Sequence, residues 1–356
     1  MTWDPAQQSA FATTLQSALD AFVDEQAARL LPLGGDADRL VAAARESVSG
    51  GKRLRASFCY WGYRAVQEQV ADETALVRAA ASLELLHASA LVHDDYMDAS
   101  ATRRGRPATH KAFEAHHRTQ GWTGSPEQYG AAAAILLGDL LLSWADELLR
   151  TCGLPHAEVR DALAWFDATR SEVIAGQFLD VSVQARGRST VEQAMQVLRY
   201  KSAKYSVERP LHVGAALAGA RPEVVAALSA FGLPIGEAFQ LRDDLLGVFG
   251  DPGVTGKPAG DDLSEGKRTV LVALALEGAP ADEAELLDRS LGRPLDEAAV
   301  ARLRTVIERS GAQAEVERRI TTLTDGALEA LAAAPVTDAA RDALRSLAEA
   351  ATQRVV

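Results

Sequence analysis

Sulfur-containing and aromatic residues are scarce in this chain of 356 residues, which has two cysteines, three methionines and 6% aromatic residues. Cys59 and Cys152 lie far apart and show neither a CxxC pair nor a metal-type spacing. This argues against a zinc-binding framework and against a disulfide-rich scaffold. We expect two buried free thiols in a reducing compartment, and hence a cytoplasmic protein.

Basic residues are outnumbered by acidic ones, 37 against 49, so the formal net charge is −12. A nucleic-acid-binding protein normally has a basic face, so we expect no nucleic acid partner. Long apolar runs are also lacking: the most apolar stretch, 131–142, has 12 residues and includes Asp139. A helix that crosses a bilayer needs about 20 apolar residues. The N-terminus has no basic segment before an apolar run, so we predict neither a signal peptide nor stable membrane insertion.

Signals for β-strands are missing too, since no run of β-branched residues alternates with polar ones. Residues 72–98 contain neither proline nor glycine and keep an apolar face in step with a 3.6-residue period. The same pattern predicts further helices over 8–31, 36–48, 52–70, 127–151, 156–186, 190–219, 222–249, 267–277, 297–311, 313–332 and 337–353. No long linker or fixed repeat divides the chain. We therefore predict an all-α fold, a single helical bundle over residues 1–356.

An acidic cluster ends the long apolar helix. Asp94 and Asp98 are four residues apart and share a helix face, whereas Asp95 is rotated by about 100°. Such a cluster is often a solvated helix end, but this one follows an apolar run without a turn, which favours a functional site. Carboxylates without His or Cys partners suit Mg²⁺, which is usually shared with substrate phosphates. The cations that follow, Arg103, Arg104 and Arg106, suit phosphate oxygens.

A second acidic cluster repeats this arrangement at the end of another apolar helix. Gln240, Asp243 and Asp244 precede two lysines, Lys257 and Lys267. Facing the first cluster in a helical bundle, these carboxylates would hold several Mg²⁺ ions across a diphosphate.

A third element is cationic. Gly50 and Gly51 precede a helix that begins with Lys52, Arg53 and Arg55, and glycines there let backbone N–H groups approach an anion. The spacing is not that of a P-loop. We expect this element to bind a second anionic group, apart from the metal ions.

In combination, these motifs resemble the trans-isoprenyl (polyprenyl) diphosphate synthases over residues 45–275. Gly51–Arg55 resembles the family's GKxxR element, and Asp94–Asp98 its first DDxxD motif, followed by paired arginines. Lys201-Ser202 stands where the family has Lys-Thr. Gln240 with Asp243-Asp244 matches the second aspartate-rich region. Gly247 occupies the last position of that DDxxD motif, and we expect Asp251, four residues further on, to compensate in part for this departure.

The resemblance implies a central active-site cavity, a homodimer and three Mg²⁺ ions held by Asp94, Asp98 and Asp243, with Asp95 and Asp244 assisting. It implies that isopentenyl diphosphate is bound by Lys52, Arg55, His87 and Arg104. The allylic diphosphate (dimethylallyl, geranyl or farnesyl) would meet Arg103, Lys201, Ser202, Gln240, Lys257 and Lys267. Its diphosphate leaves, the isopentenyl double bond attacks the allylic cation, and proton loss gives a chain five carbons longer. The implied catalytic residues are Asp94, Asp95, Asp98, Arg103, Lys201, Asp243 and Lys257.

Product length is expected to depend on the helix before Asp94. In the family, bulky aromatic residues four and five positions before the motif stop growth early, and these positions are Ala90 and Ser89 here, with Leu86 deeper. We expect geranylgeranyl diphosphate (C20), with farnesyl (C15) or longer products (C25 or more) as alternatives. Phe178 on another helix is a further candidate for the pocket floor. A class I terpene cyclase, whose second motif this chain lacks, and a non-catalytic synthase subunit are the remaining alternatives.

Overall fold

The computed structural model describes residues 3–250 and 260–353. These residues form helices and one short hairpin. The helices in the first half are α1 Pro5–Leu30, α2 Gly35–Ser47, α3 Leu54–Arg64, α4 Glu73–Met97, α5 Thr109–Gln120, α6 Pro126–Arg150 and α7 His156–Arg186. The hairpin pairs β1 Thr102–Arg103 with β2 Arg106–Pro107. A 3₁₀ turn covers Leu31–Leu33.

The second half begins with α8 Val191–Leu198, which continues into a π-helical segment, Arg199–Glu208. The helices after it are α9 Arg209–Leu217, α10 Pro222–Phe249, α11 Asp261–Glu265, α12 Val270–Gly278, α13 Ala281–Ser290, α14 Glu297–Arg309, α15 Ala312–Ala333 and α16 Asp338–Thr352. The all-α prediction is confirmed.

The described residues fall into two compact units. Unit 1 comprises 1–165, 213–220 and 337–343, and unit 2 comprises 166–212, 221–336 and 344–356. The prediction of one domain over 1–356 stays a prediction.

Helix α4 is the centre of unit 1. It packs against α1, α3, α5 and α6, which explains why it is buried on almost every side. The Asp72 carboxylate caps its start by accepting a hydrogen bond from Ala75 N at 2.9 Å. The helix ends at the acidic motif, where Asp98 N donates to Asp94 O at 2.8 Å. The first acidic motif therefore lies at the end of the most enclosed helix of unit 1.

Helix α10 has the corresponding position in unit 2. It packs against α15 and against the π-helical segment. Its inner face contributes Ala238, Leu241, Leu245 and Val248, all fully buried, to a core that α12 and α15 complete. The second acidic motif lies on its last turns. Both acidic motifs thus follow apolar, buried helices, as predicted.

Some boundaries differ from the sequence-based prediction. Helix α3 begins at Leu54 because Arg53 is in the left-handed conformation, with φ 53°. The predicted helix over 190–219 is divided by the π-helical segment. Helices α5, α11 and α13 were not predicted, and neither was the hairpin of two-residue strands, which is too short to show a strand pattern.

Two helices, α4 and α10, are long and apolar enough to cross a membrane by composition. This corrects the expectation that the most apolar stretch is 131–142. In the most apolar 18-residue segment of each helix, 78% of α4 and 56% of α10 is buried within the fold. Such burial is typical of core helices. Cys59 and Cys152 are buried and free, as predicted.

Candidate active site

The cationic loop before α3 is held by a buried ion pair. Arg53 is 5% exposed, and it donates to Glu84 Oε2 at 3.0 Å and to Val48 O at 2.7 Å. Its charge is therefore used inside the protein, which corrects the expectation that Arg53 adds positive charge for a ligand. Because Arg53 is fixed in the left-handed region, an uncommon conformation for a residue with a side chain, it determines where the neighbouring Lys52 and Arg55 project.

Arg104 of the hairpin approaches this loop from a distant part of the chain. Its Nη1 donates to Ser49 O at 3.0 Å, and a Cβ atom on Gly51 would lie 3.1 Å from its Nη2. A side chain at Gly51 would thus shift the guanidinium by a few tenths of an ångström, and the φ of +96° is itself a conformation that favours glycine. The structure brings together two cationic elements that the sequence separates by about fifty residues.

His87 on α4 belongs to the same cluster. Burial lowers its pKa well below the usual value, and the positive charges of Arg55, Arg104, Arg103 and Arg53 lower it further. The imidazole is therefore neutral at physiological pH. Its electrostatic coupling to Arg55 and Arg104 shows that the residues assigned to isopentenyl diphosphate share one region of unit 1. Lys52, at the exposed edge of the loop, completes that set.

The carboxylates of the first acidic motif have different surroundings. Asp95 is 3% exposed and accepts a 2.8 Å hydrogen bond from Arg103 Nε and a second bond from Arg103 Nη2. Asp94 is half-buried, with its Oδ2 3.7 Å from Arg103 Nη2. This geometry favours Asp95 as the residue that positions Arg103, and leaves Asp94 and Asp98 as the better candidates for metal binding.

Within residues 3–250 and 260–353, no group of three or more His, Cys, Asp or Glu side chains is arranged to hold a metal ion. A pair of carboxylates with oxygen donors alone still fits Mg²⁺, since this ion keeps several waters and takes its other ligands from substrate phosphates. Asp94 and Asp98 are such a pair of carboxylates and could share a Mg²⁺ ion with a substrate phosphate.

Lys201 of unit 2 lies in the π-helical segment and is paired with Asp180 of α7, whose Oδ2 accepts from Lys201 Nζ at 2.7 Å. A Cβ atom on Gly176 would lie 2.8 Å from Lys201 Cα, so the segment packs directly on the α7 backbone. One turn further back, Glu172 accepts from Lys204 Nζ at 3.1 Å. Sequence reasoning missed Glu172, Gly176 and Asp180, although their four-residue spacing marks one helix face. Ser202, next to Lys201, is half-buried.

The second acidic motif is more buried than the first. Asp244 is 7% exposed, and its Oδ1 accepts from Gln240 Nε2 at 2.8 Å. Burial raises the pKa of Asp244 to about 8; the Gln240 hydrogen bond opposes this, and the nearby carboxylates of Asp262 and Asp243 add to it. The neighbouring groups therefore do not fully neutralise the negative charge of this cluster, as expected of carboxylates that bind a cation.

The position of Asp262 explains why Gly247 stands where the usual DDxxD motif has its last aspartate. A Cβ atom on Gly247 would lie 2.5 Å from Asp262 Cγ and closer still to its Oδ2. The Asp262 carboxylate, supplied by α11, thus lies against the position where the usual motif has its last aspartate. Lys267 Nζ lies 3.5 Å from Asp262 Oδ1 and 2.5 Å from Glu265 Oε2. The predicted residues Asp251 and Lys257 lie outside the described part of the chain.

The residues predicted to set product length lie on α4. Leu86 and Ser89 are each 3% exposed, and Ala90 is half-buried. Phe178 is 71% exposed in the single chain, whereas Leu83 is 1% exposed. Leu86 and Leu83 are therefore better candidates than Phe178 for the floor of the pocket.

Comparison with known proteins defines the class. The chain belongs to the polyprenyl synthetase family, whose model matches residues 37–308. It is 36% identical to the short chain isoprenyl diphosphate synthase of Methanothermobacter thermautotrophicus over 74% of each chain. It is 32% identical to the geranylfarnesyl diphosphate synthase of Aeropyrum pernix, over 89% of this chain and 95% of that protein.

Solved structures agree with this assignment. The crystal structure of geranylgeranyl pyrophosphate synthase from Corynebacterium glutamicum, complexed with isoprenyl diphosphate and magnesium, superposes with a TM-score of 0.95. The two chains are 40% identical over 98% of this chain and 99% of that one. The protein is therefore an all-α prenyltransferase of the trans-prenyl diphosphate synthase family.

Proposed function

We propose that this enzyme is a Mg²⁺-dependent synthase that condenses isopentenyl diphosphate with an allylic diphosphate to make all-trans geranylgeranyl diphosphate. The observation that carries the proposal is the electrostatic coupling of His87 to Arg55 and Arg104 in unit 1. His87 lies on the helix that ends at the Asp94–Asp98 motif, and we interpret the cluster as the site for an anion.

The cluster is suited to hold isopentenyl diphosphate without a metal ion. Arg104 is fixed on the loop by its bond to Ser49 O, and Arg55 and Lys52 add two further cations. Neutral His87 can donate one hydrogen bond to a phosphate oxygen at physiological pH. Because Arg104 is positioned before the substrate binds, part of the cost of orienting isopentenyl diphosphate is already met by the fold.

The allylic diphosphate is assigned to the carboxylates and to a second set of cations. Asp94, Asp98 and Asp243 would hold the metal ions, in the number of three that the resemblance implies. Bound Mg²⁺ would neutralise the diphosphate and so make it a better leaving group. Arg103, held by Asp95, and Lys201, held by Asp180, would stabilise the developing negative charge. Ser202, Gln240, Lys257 and Lys267 complete the proposed set, with Asp244 supporting Asp243.

A C20 product is supported by the small residues at Ser89 and Ala90. Similar proteins are named as synthases of geranylgeranyl, geranylfarnesyl and farnesyl diphosphate, so product length is part of the proposal. Farnesyl diphosphate and products of C25 or more are the alternatives that chromatography would distinguish.

The direct test is incubation of the purified enzyme with Mg²⁺, isopentenyl diphosphate and each allylic primer in turn. We expect elongation to a main product of C20 and loss of turnover in EDTA. Asp98→Asn should abolish turnover, whereas Asp338→Asn, a fully exposed carboxylate, should not. A cyclic hydrocarbon would indicate a terpene cyclase, and no product with any primer would indicate a non-catalytic subunit.

We also propose that the enzyme is a cytoplasmic homodimer. The dimer is supported by large apolar side chains left exposed on single helices: Ile135 and Leu136 on α6 (45% and 61%), and Ile174 and Phe178 on α7 (57% and 71%). Sedimentation analysis should show a dimer that Phe178→Glu weakens, whereas Arg160→Glu, at an exposed polar position of α7, should leave it intact. A monomeric wild-type chain would contradict the dimer.

A further inference from the structure

A cavity of about 590 Å³ lies in unit 1, bounded by α2, α4, the β1–β2 hairpin and α5. Its volume falls in the range of small-molecule pockets, about 300–1,000 Å³. On α4 it is lined by Ala88, Leu91, Val92 and Asp95. This face is rotated by about 100° from the one that carries Asp94.

The cavity is distinct from the site proposed for isopentenyl diphosphate. Lys52, Arg55 and His87 are not among its lining residues, and neither are Asp94 and Asp98. The two regions adjoin each other: Arg104 and its hairpin belong to both, and Ser49 and Gly50 of the cationic loop also line the cavity. The hairpin therefore forms one wall of the cavity, and Arg104 borders both the cavity and the site proposed for isopentenyl diphosphate.

Its cations are unequally paired. Arg103 is bonded to Asp95, and Arg106 Nη1 to Glu46 Oε1 at 2.9 Å. Arg39 on α2 makes no ion pair with any described residue, and its guanidinium lies 5.0 Å from the ring centre of Phe113. The four lining guanidinium groups face three carboxylates, the third belonging to Asp38, which leaves one positive charge in excess.

The remaining wall is apolar and made of small residues. This wall includes alanines from three helices and one aromatic ring: Ala42, Ala43, Ala88, Ala112 and Phe113. A guanidinium that lines a cavity without an ion-pair partner attracts an anion, so the geometry favours a ligand that has an anionic group at Arg39 and a hydrocarbon part along the alanines.

We propose that this cavity is a second binding site for an amphipathic anion, a phosphate or diphosphate group on an apolar chain. The choice of a prenyl chain rests on the proposed function, because that reaction makes molecules of this class. The existence of the site does not depend on it. Because Arg104 borders both regions, occupancy of the cavity is expected to weaken the binding of isopentenyl diphosphate.

The test is calorimetric titration of the full-length protein with geranylgeranyl monophosphate. EDTA prevents metal-dependent binding. The titration is run without and then with isopentenyl diphosphate, which fills the Arg55–His87 region and, because the coupling through Arg104 is reciprocal, should lower the affinity of the cavity without abolishing binding. We expect binding to the wild type that Arg39→Gln weakens about tenfold or more, as expected for loss of a charge-assisted hydrogen bond. Ala112→Leu, which fills the cavity, should have a similar effect. Arg221→Gln, at an exposed position of unit 2, is the charge-matched control.

The two parts of the proposal are tested separately. Inorganic phosphate and geranylgeraniol, titrated alone, should each bind much more weakly than the monophosphate. Equal binding of inorganic phosphate would overturn the amphipathic ligand, and wild-type affinity in both Arg39→Gln and Ala112→Leu would overturn the site. Thermal melting checks that each variant is folded. Since no turnover is measured, an inactive enzyme would contradict the proposed function and leave this test unaffected.

Discussion

Lys201 Nζ donates to Asp180 Oδ2 at 2.7 Å, which joins the π-helical segment of unit 2 to α7. Both side chains are largely shielded, with 21% and 12% of their surfaces exposed. Gly176 lets the same segment pack on the helix backbone, and Glu172 pairs with Lys204. A π-helical segment is uncommon and is frequently found at functional sites. Here, one face of α7 determines where Lys201 projects.

Asp180→Asn should therefore impair the reaction through Lys201. We expect kcat/KM for the allylic substrate to fall about tenfold or more, since the ammonium group loses a charge-assisted hydrogen bond. The KM for isopentenyl diphosphate should change little. Steady-state kinetics with each substrate varied in turn measures both. Asp167→Asn on the exposed part of α7 is the matched control. A rise in the KM for isopentenyl diphosphate as large as the rise for the allylic substrate would indicate a general structural effect instead.

Gly247→Asp restores the usual sequence of the second aspartate motif, yet we expect it to lower activity and stability. The new Cβ atom would collide with the Asp262 carboxylate, and a second negative charge would be added there. Thermal melting of Gly247→Ala should show the steric part alone. Gly326→Ala on α15, where a Cβ meets nothing within 4 Å, should be neutral or stabilising by about 0.5–1 kcal/mol.

The double variant Gly247→Asp with Asp262→Ala distinguishes the steric clash at position 247 from the contribution of a carboxylate to metal binding. If the Asp262 carboxylate acts in place of the missing aspartate, the double variant should recover activity and Mg²⁺ dependence relative to either single variant. Higher activity of Gly247→Asp alone would show that the collision is of no consequence.

His212 should make the stability of the fold depend on pH. It is 1% exposed, and burial, followed by the charges of Arg209 and Lys204, lowers its pKa to about 3. Arg209 Nη1 lies 3.1 Å from His212 Nδ1; because a guanidinium only donates, Nδ1 is the acceptor and the imidazole is neutral. Its Nε2 then donates to Ser229 Oγ at 2.8 Å.

An unfolded histidine has a pKa of about 6.5, so below this pH the unfolded chain takes up a proton that the folded chain does not. Stability from this group is present above about pH 6.5 and is lost as the pH falls toward 3, by about 2 kcal/mol between pH 7.5 and 5. Urea unfolding should show a smaller pH dependence in His212→Gln than in the wild type. His156→Gln, at an exposed position, should behave like the wild type.

Ser89→Phe should shorten the main product. The residue lies on α4, five positions before Asp94, and is 3% exposed. By the resemblance, an aromatic ring at this position is expected to block the space that the growing chain would use. We expect a shift from C20 toward C15 on chromatography of the products. Ser89→Ala, which keeps the side chain small, should leave the product unchanged. An unaltered product length in Ser89→Phe would remove Ser89 from the set of length-determining residues.

Much of the fold could be predicted from the sequence, because apolar periodicity and the positions of proline and glycine are local properties. Helix α7 and helix α10 were predicted with the boundaries that the structure shows. The short hairpin and helix α5 could not be predicted, since strands of two residues and a helix rich in polar residues give no periodic signal.

The sequence by itself determined which residue types are present for the chemistry. It identified two acidic helix ends, the cations after each and the glycine-containing loop, because each is a contiguous pattern. Only the tertiary structure decided how these groups are used. Arg53 is paired with Glu84, and Asp95 with Arg103. The Asp262 carboxylate fills the space beside Gly247. Such pairings join distant parts of the chain, so they depend on how the helices pack and cannot be inferred from local spacing.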